Sequence, residues 1–339
     1  KQEFSAFNKA DNKKLKELKA PEPLMTQVAT AVVFESPGNL SLREVGLPDF
    51  AAADCLVEID WSGISTGTER LLWDGRMPHF PGLNYPLVPG YESVGRVIDA
   101  GSESKIDAGS VVFVPGSRGF EDVAGLFGGA ARKLVVDSSR LVQLQPDTGS
   151  EGVLLALIAT AVHAIRRFEN DELPQLIVGH GVLGRLVARI CQSMGAKDLR
   201  VWEQNPARRD SNTPYPVLDP KDDTGSRYER ICDVSGDASI LESLLPSLSK
   251  GGWIVLAGFY HQPIQFDFPV AFMSEATLRI AAEWQPEDLE FARTLLAENQ
   301  IAVQDLITHQ YTAQDAAPAY DKAFSDPKCL KMILDWRAV

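Results

Sequence analysis

The stretch LIVGHGVLGRLVARI sets Gly179, Gly181 and Gly184 in the spacing G-x-G-x-x-G. That spacing gains force from its flanks, a predicted strand at 176–178 before it and an apolar-periodic helix after it. In such a setting Gly179 takes the tight turn, Gly181 lets the backbone approach a pyrophosphate, and Gly184 lets helix and strand pack closely. Val182 and Leu183 follow at the helix N-terminus, where free N–H groups meet phosphate charge. His180, inside the motif, faces either the pyrophosphate or solvent. Glu203 lies 19 residues after Gly184, at the end of the next predicted strand, RVWEQN. An acid there suits the ribose hydroxyls of NAD and repels the 2′-phosphate of NADP. Arg208 and Arg209 are the opposing charges. The turns DVSGD and LAGFY end later strands, where open parallel sheets bind ligands. They add Ser235, Gly236, Gly258 and Phe259 to the expected cofactor site, and NAD is the expected cofactor.

The surrounding elements are legible from periodicity. From Met25 to about Leu144 short β-runs alternate with Gly and Pro: ATAVVF, CLVEIDWSGI, VGRVIDAG, SVVFVPG and ARKLVV. Such spacing predicts a barrel-like or Greek-key β-domain. The segment EGVLLALIATAVHAIRRF has helix period and is too short and too polar at its ends to span a bilayer. After Pro174 strands and helices alternate, which predicts a parallel sheet covered on both faces. ASILESLLPSLSKGG reads as one helix ended by Gly. The last 40 or so residues, with ITHQYTAQDAAPAYDKAF and KCLKMILDW, read as helix plus a closing strand. The expected divisions are 1–24 as a leader or cloning remnant, 25–150 as a β-rich catalytic domain, 151–290 as the cofactor domain, and 291–339 as a return to the first.

Composition narrows the function. The chain has 339 residues, 45% hydrophobic and 23% charged, with a formal net charge of −13. The sign argues against a nucleic-acid partner, whose phosphates need clustered Lys and Arg. The first 24 residues run the other way, with six Lys against four acids. No run of 18 apolar residues occurs, so no integral membrane segment is expected. Cys55, Cys191, Cys232 and Cys329 form no C-x-x-C, which fits reduced thiols in a cytoplasmic protein.

With these pieces in place, the chain from Met25 onward resembles the zinc-type, medium-chain dehydrogenase/reductase superfamily. Members often carry GICGTD, GHE and a C…T pair on the linking helix. Here the matching strings are GISTGTE (63–69), GYE (90–92) and ALIAT (156–160). The resemblance implies an α/β fold in two parts: a GroES-like β-rich catalytic domain and a Rossmann doubly wound parallel-sheet cofactor domain. By this alignment Thr66 stands for the first zinc Cys, with one residue inserted. Tyr91 stands for the zinc His and Ala156 for the third ligand. The four-Cys lobe is absent as well. Zn²⁺ needs several His, thiolate or carboxylate ligands together, so no metal is expected.

Longer strings, among them DWSGISTGTERLLWDGRMP, YPLVPGYESVGRV and CLKMILDWRA, are similar to a branch that oxidises a hydroxyethyl group on a chlorin or bacteriochlorin ring. The resemblance implies NAD-dependent alcohol oxidation on a small-molecule tetrapyrrole substrate, and a homo-oligomer, with a dimer one possibility. It implies Tyr91 as hydrogen-bond donor to the reacting oxygen, Thr68 as proton relay, Glu92 and Thr66 close by, and Thr160 at the cofactor. The alternative for Tyr91 is a ring that only fills the space left by zinc. A flat apolar disc with a carboxylate suits the bulky loop 70–86. The expected substrate residues are Trp73, Arg76, Phe80, Phe127 and Tyr260, with Arg70 or Arg118 as further partners for the carboxylate. His163, on the linking helix, reads as a packed residue. Two other readings stay open: a metal-free quinone or enoyl reductase, and a non-catalytic cofactor-binding protein.

Overall fold

A hairpin of Val28–Ser36 (β1) and Asn39–Gly46 (β2) begins the described chain, and Asp54–Ile64 (β3) follows. After the short helix Thr68–Trp73 (α1) come Ser93–Ala100 (β4), Val111–Val114 (β5), Lys133–Asp137 (β6) and Val142–Gln143 (β7). The helix Leu155–Arg166 (α2) leads into Leu176–Val178 (β8), Val182–Ser193 (α3), Arg200–Trp202 (β9), Val217–Leu218 (β10) and Tyr228–Asp233 (β11). Next are Leu241–Leu244 (α4), Leu248–Leu256 (β12), Phe268–Ser274 (α5), Thr277–Ile280 (β13) and Pro286–Ala297 (α6). The chain closes with Ile307–Thr312 (β14), Ala316–Ser325 (α7) and Lys331–Asp335 (β15). The computed structural model describes residues 27–79, 81–209 and 212–339. The expected leader and Phe80 lie outside them.

Two large sheets carry the molecule. Six parallel strands run in the order β10-β9-β8-β11-β12-β13, the doubly wound arrangement whose strand order reverses beside β8. The other sheet runs β14-β15-β3-β4-β5-β7, with β6 also on β3. The long strand β3 is its hub, pairing antiparallel with β15, β4 and β6. Residues 307–335 therefore complete a sheet begun at residue 54.

The core follows from the apolar patterning. In α2, Leu155, Ala156, Ile158, Ala159, Ala161, Val162, Ala164 and Ile165 are all buried, and the helix packs against α3 and α6. Each buried Leu or Ile contributes about 1.5–3 kcal/mol. By length and composition 149–166 could cross a membrane; here its apolar side chains are consumed by the interior instead. Asp288 on α6 ties that helix to α2, with His163 Nδ1 at 2.7 Å and the Arg166 guanidinium at 2.8 Å. The four cysteines are buried and unpaired.

Two expected elements differ. ASILESLLPSLSKGG is a one-turn helix, not a long one, because Pro246 cannot continue it, and Ser249 to Gly252 already belong to β12. ITHQYT is the strand β14, so the closing segment is strand, helix, strand. Its alternating burial fits period 2 rather than 3.6.

Candidate active site

The loop from β3 into α1 and the loop entering β4 bring three hydroxyls together. Tyr91, after Gly90 at φ +97°, donates from its hydroxyl to Ser65 Oγ at 2.9 Å and lies 3.5 Å from Thr68 Oγ1. Ser65 Oγ also accepts from the Thr68 backbone N–H at 3.3 Å. Phe127 meets the Tyr91 ring edge-on, with centroids 5.1 Å apart, and holds a left-handed φ of 68° to do so. Burial, reinforced by the charge of Glu92, pushes the Tyr91 phenol well above its ordinary pKa, so it stays protonated and acts as a donor.

Two carboxyl groups lie behind this bundle, both fully buried. Glu92 Oε2 is 2.6 Å from Lys331 Nζ on β15, and that ammonium also donates to Ile64 O at 3.2 Å. The opposing backbone comes close: a Cβ on Gly63 would lie 2.4 Å from Glu92 Oε2. Only glycine fits there. Glu69, in the first turn of α1, accepts from Ser65 N–H at 3.0 Å and from the Tyr320 hydroxyl of α7 at 2.7 Å. Burial pushes its carboxyl up to about 7, against the pull of those two hydrogen bonds.

Some expected site residues change place. Ser65, not Thr66, contacts Tyr91, because successive side chains leaving a strand point to opposite sides. The inserted residue leaves Thr66 outside the bundle. Glu92 faces Lys331 rather than the hydroxyls. Trp73 packs with Phe34, Tyr320 and Phe324 in the core behind Glu69, away from Tyr91. Tyr260 turns its hydroxyl to the buried Asp233 at the end of β11, whose carboxyl burial pushes up to about 6. Arg118 is paired with buried Asp54 at 2.6 Å, and Arg70 lies 3.8 Å from Asp74. Arg76 also binds Asp74, and it reaches His261 of the loop after β12 at 3.5 Å. Phe80 is outside the described residues.

The glycine motif falls at the turn from β8 to α3. Gly179 has φ +100°, and a Cβ on Gly184 would lie 1.9 Å from Gly179 O. A Cβ on Gly181 would stand 3.7 Å from Arg208 Nη1, so the space in front of that residue is open toward a cation. Val182 and Leu183 form the first turn of α3. His180 faces neither pyrophosphate nor solvent: its ring is buried, with Nδ1 2.7 Å from Arg208 O and Nε2 3.2 Å from the Tyr215 hydroxyl. Glu203 follows β9, and its oxygens accept from His180 N–H at 2.8 Å and Asn205 N–H at 2.7 Å. Arg209 is held by Asp219 at 2.5 Å, while Arg208 donates from Nε to Pro327 O at 2.9 Å. The turns after β11 and β12 abut, since a Cβ on Gly258 would lie 2.7 Å from Gly236 N. Ser235 and Phe259 are both exposed there. Thr160 returns its hydroxyl to Ala156 O within α2 at 2.9 Å. This cradle fits a dinucleotide. A zinc ion fits poorly at Tyr91, which has the hydroxyls of Ser65 and Thr68 around it, and among the described residues no group of three or more His, Cys, Asp or Glu could hold a metal.

Lys331, Ser65, Glu69 and Tyr320 were not marked as site residues by the sequence. One signal existed for Lys331: a single cation inside the otherwise apolar run LKMIL.

Residues 51–146 match the alcohol dehydrogenase GroES-like domain family. The 2-desacetyl-2-hydroxyethyl bacteriochlorophyllide A dehydrogenase of Rhodobacter capsulatus is 50% identical over 307 residues, covering 90% of this chain and 98% of that protein. The enzyme of the same name from Cereibacter sphaeroides is 50% identical over 314 residues, 91% of this chain and 98% of its own. Among solved structures, L-idonate 5-dehydrogenase from Escherichia coli superposes with a TM-score of 0.81 at 19% identity, over 92% of this chain and 99% of that one. At that identity the likeness is one of fold.

Removing one member of the buried pair leaves an uncompensated charge. Lys331→Met should therefore cost about 3–5 kcal/mol in urea unfolding, and adding Glu92→Gln should recover most of it. Equal losses in the single and double variants would show that the pair does not act as a unit.

Proposed function

Because the chain belongs to the 2-desacetyl-2-hydroxyethyl bacteriochlorophyllide A dehydrogenase family, within the medium-chain dehydrogenase/reductase superfamily, we propose that it oxidises the hydroxyethyl substituent of a bacteriochlorophyllide or chlorophyllide to acetyl. The step belongs to bacteriochlorophyll biosynthesis, uses NAD⁺ and needs no zinc. The 50% identity over 98% of the Rhodobacter capsulatus protein carries this proposal. In domain terms, 25–150 and 291–339 are the catalytic part and 151–290 the cofactor part.

NAD⁺, when bound, supplies the acceptor for the hydride. Gly179, Gly181 and Gly184, with the α3 N-terminus at Val182 and Leu183, take the pyrophosphate. Glu203 is held by two backbone N–H groups at the ribose end. Ser235, Gly236, Gly258, Phe259 and Thr160 line the approach to the nicotinamide. Of the two arginines, Arg209 is held by Asp219 and Arg208 remains in front of Gly181, so the preference for NAD is set by Glu203 against Arg208 alone.

An alcohol releases hydride readily only as its oxygen takes on alkoxide character. The Tyr91 hydroxyl, which donates to Ser65 Oγ here, turns its hydrogen to that oxygen when the alcohol is bound, and Thr68 and Ser65 hold the phenol in place. Such a donor acts most strongly in the transition state, where charge is greatest. The macrocycle attached to the carbinol carbon shares developing charge, which reduces the need for a Lewis acid. Phe127, against Tyr91, offers the ring an apolar face. Arg76, between the α1 loop and His261, is positioned for the substrate carboxylate.

The expected homo-oligomer has a matching surface. Phe266, Phe268, Phe272, Met273 and Ile280 are exposed by 41–73% beside β13, whose outer edge is unpaired within the sheet. A strand open on one side can pair with its own copy across a two-fold axis, and a second copy covers the apolar face at the same time.

Three measurements test these proposals. Tyr91→Phe keeps the ring and removes the hydroxyl, so kcat should fall about 10²–10³-fold with KM little changed; a rate within about threefold of the parent would leave the ring as a space filler. Glu203→Ala should narrow the preference for NADH over NADPH in fluorescence titrations. Like charges a few Å apart in a partly buried site are worth on the order of 1 kcal/mol, or about fivefold to tenfold, and equal affinities in the parent would assign the choice to Arg208. Light scattering should give a dimer mass that Phe272→Glu reduces to a monomer, while an unchanged mass would place the contact elsewhere.

A further inference from the structure

The strand order sets where the two halves of a dinucleotide lie. Glu203, the ribose acid, follows β9 on one side of β8. The pyrophosphate turn follows β8 itself, so the nicotinamide half passes over the turns that follow β11 and β12. Those two turns and the glycine turn touch in a row. A Cβ on Gly179 would lie 3.4 Å from Ser235 N, and one on Gly236 would lie 3.3 Å from Phe259 O. A shift of one turn therefore presses on the next.

One buried carboxyl group ties the two nicotinamide turns together. Asp233, the last residue of β11, is fully buried. Its backbone carbonyl accepts from Ala257 N–H at 2.8 Å, where the second turn begins. Its Oδ1 accepts from Ser235 N–H at 3.2 Å in the first turn, and its Oδ2 accepts from the Tyr260 hydroxyl in the second. These described partners are all uncharged, so the carboxyl group links backbone segments rather than forming an ion pair. The Tyr260 ring packs against the apolar cluster that includes Val178 and Leu256. On either side of Tyr260 stand the exposed Phe259 and His261, the latter 3.5 Å from Arg76 of the catalytic part.

We propose that Tyr260 is a positioning residue for the cofactor: its bond to Asp233 fixes the turn after β12 against the turn after β11, and with them the seat of the nicotinamide ring. Tyr260 then acts one layer below the ligand, through Gly258 and Phe259, and not as a wall of the tetrapyrrole pocket. A Cβ on Gly258 would lie 3.2 Å from the Tyr260 hydroxyl oxygen, so that hydroxyl stands directly behind the turn. Hydride transfer is sensitive to such support, since a misplacement of about 1 Å can cost on the order of 100-fold. The inference rests on the reading of Ser235, Gly236, Gly258 and Phe259 as the approach to the nicotinamide.

Tyr260→Phe keeps the ring and removes the hydroxyl. Two probes separate the ends of the cradle: NADH, and ADP-ribose, which has the adenosine and pyrophosphate but no nicotinamide. In titration calorimetry the variant should bind NADH about tenfold more weakly, the lower end of what a hydrogen bond to a charged group is worth, and ADP-ribose with the parent affinity. Asp233→Asn is the conservative variant, for its amide can accept from Ser235 N–H and donate to the Tyr260 oxygen. It should keep NADH affinity within about threefold of the parent. An equal loss for both ligands in Tyr260→Phe overturns the proposal, because the hydroxyl would then support the domain at large. Unchanged NADH affinity in Tyr260→Phe overturns it too. So does a loss of NADH affinity alone in Asp233→Asn that matches the Tyr260→Phe loss, since the charge and not the link would then be at work. Neither titration contains a tetrapyrrole, so a parent that binds NADH and oxidises no hydroxyethyl group strikes the proposed reaction and not the role of Tyr260.

Discussion

A carboxylate and an ammonium share the buried interior at Glu92 and Lys331, and the end of β3, the Tyr91 loop and β15 meet around them. The attraction offsets a desolvation cost of several kcal/mol per ion only while the geometry holds. Gly63 is held to glycine because the carboxylate lies against its backbone, and Ile64 turns its carbonyl to the ammonium. These contacts fix the end of β3 and the start of the Tyr91 loop relative to β15. Ser65 follows Ile64 directly, and Tyr91 precedes Glu92 directly. The two residues that share the 2.9 Å hydroxyl contact are thus neighbours of the ion pair on both sides.

On the proposed reading, that arrangement lets an alcohol site work with neutral groups at its centre. A metal would bring two positive charges and a high demand for ligands. Here the Glu92 charge lies behind the bundle and is paired with Lys331, and the centre holds hydroxyls bonded to one another. Preorganised dipoles in a low-dielectric site need little reorganisation as charge develops. Phe127 packs its ring against one side of Tyr91 from an uncommon backbone conformation.

Much of this was legible in the chain. The strands ATAVVF, CLVEIDWSGI and SVVFVPG, and those after Pro174, fall where period 2 and the Gly and Pro punctuation set them. The G-x-G-x-x-G string falls at the β8–α3 turn with Glu203 at the end of β9. What escaped depended on distance along the chain or on direction. A lysine in a strand reads as a surface residue, and its partner is 239 positions away. Thr66 and Ser65 are alike in type, and only the strand's alternation tells them apart. Trp73 in a bulky loop reads equally as pocket wall or core, and its partners Tyr320 and Phe324 arrive from α7. The His180 ring is drawn inward by Arg208 and Tyr215, which no local pattern signals. Pro246 stops the helix after one turn, against an apolar pattern that runs on past it.

The strand β3 at the centre of the second sheet is made well before its neighbour β15, since the two lie far apart along the chain. The anchors of the site repeat this interval, with Tyr320 251 positions from Glu69 and Lys331 239 from Glu92. The six-stranded sheet, by contrast, draws on one continuous stretch from Leu176 to Ile280. Loop-closure entropy makes such remote pairings slow to form. A nascent chain can therefore close its six-stranded sheet while the partners of β3 are still unmade, and the second sheet must wait for residues 307–335.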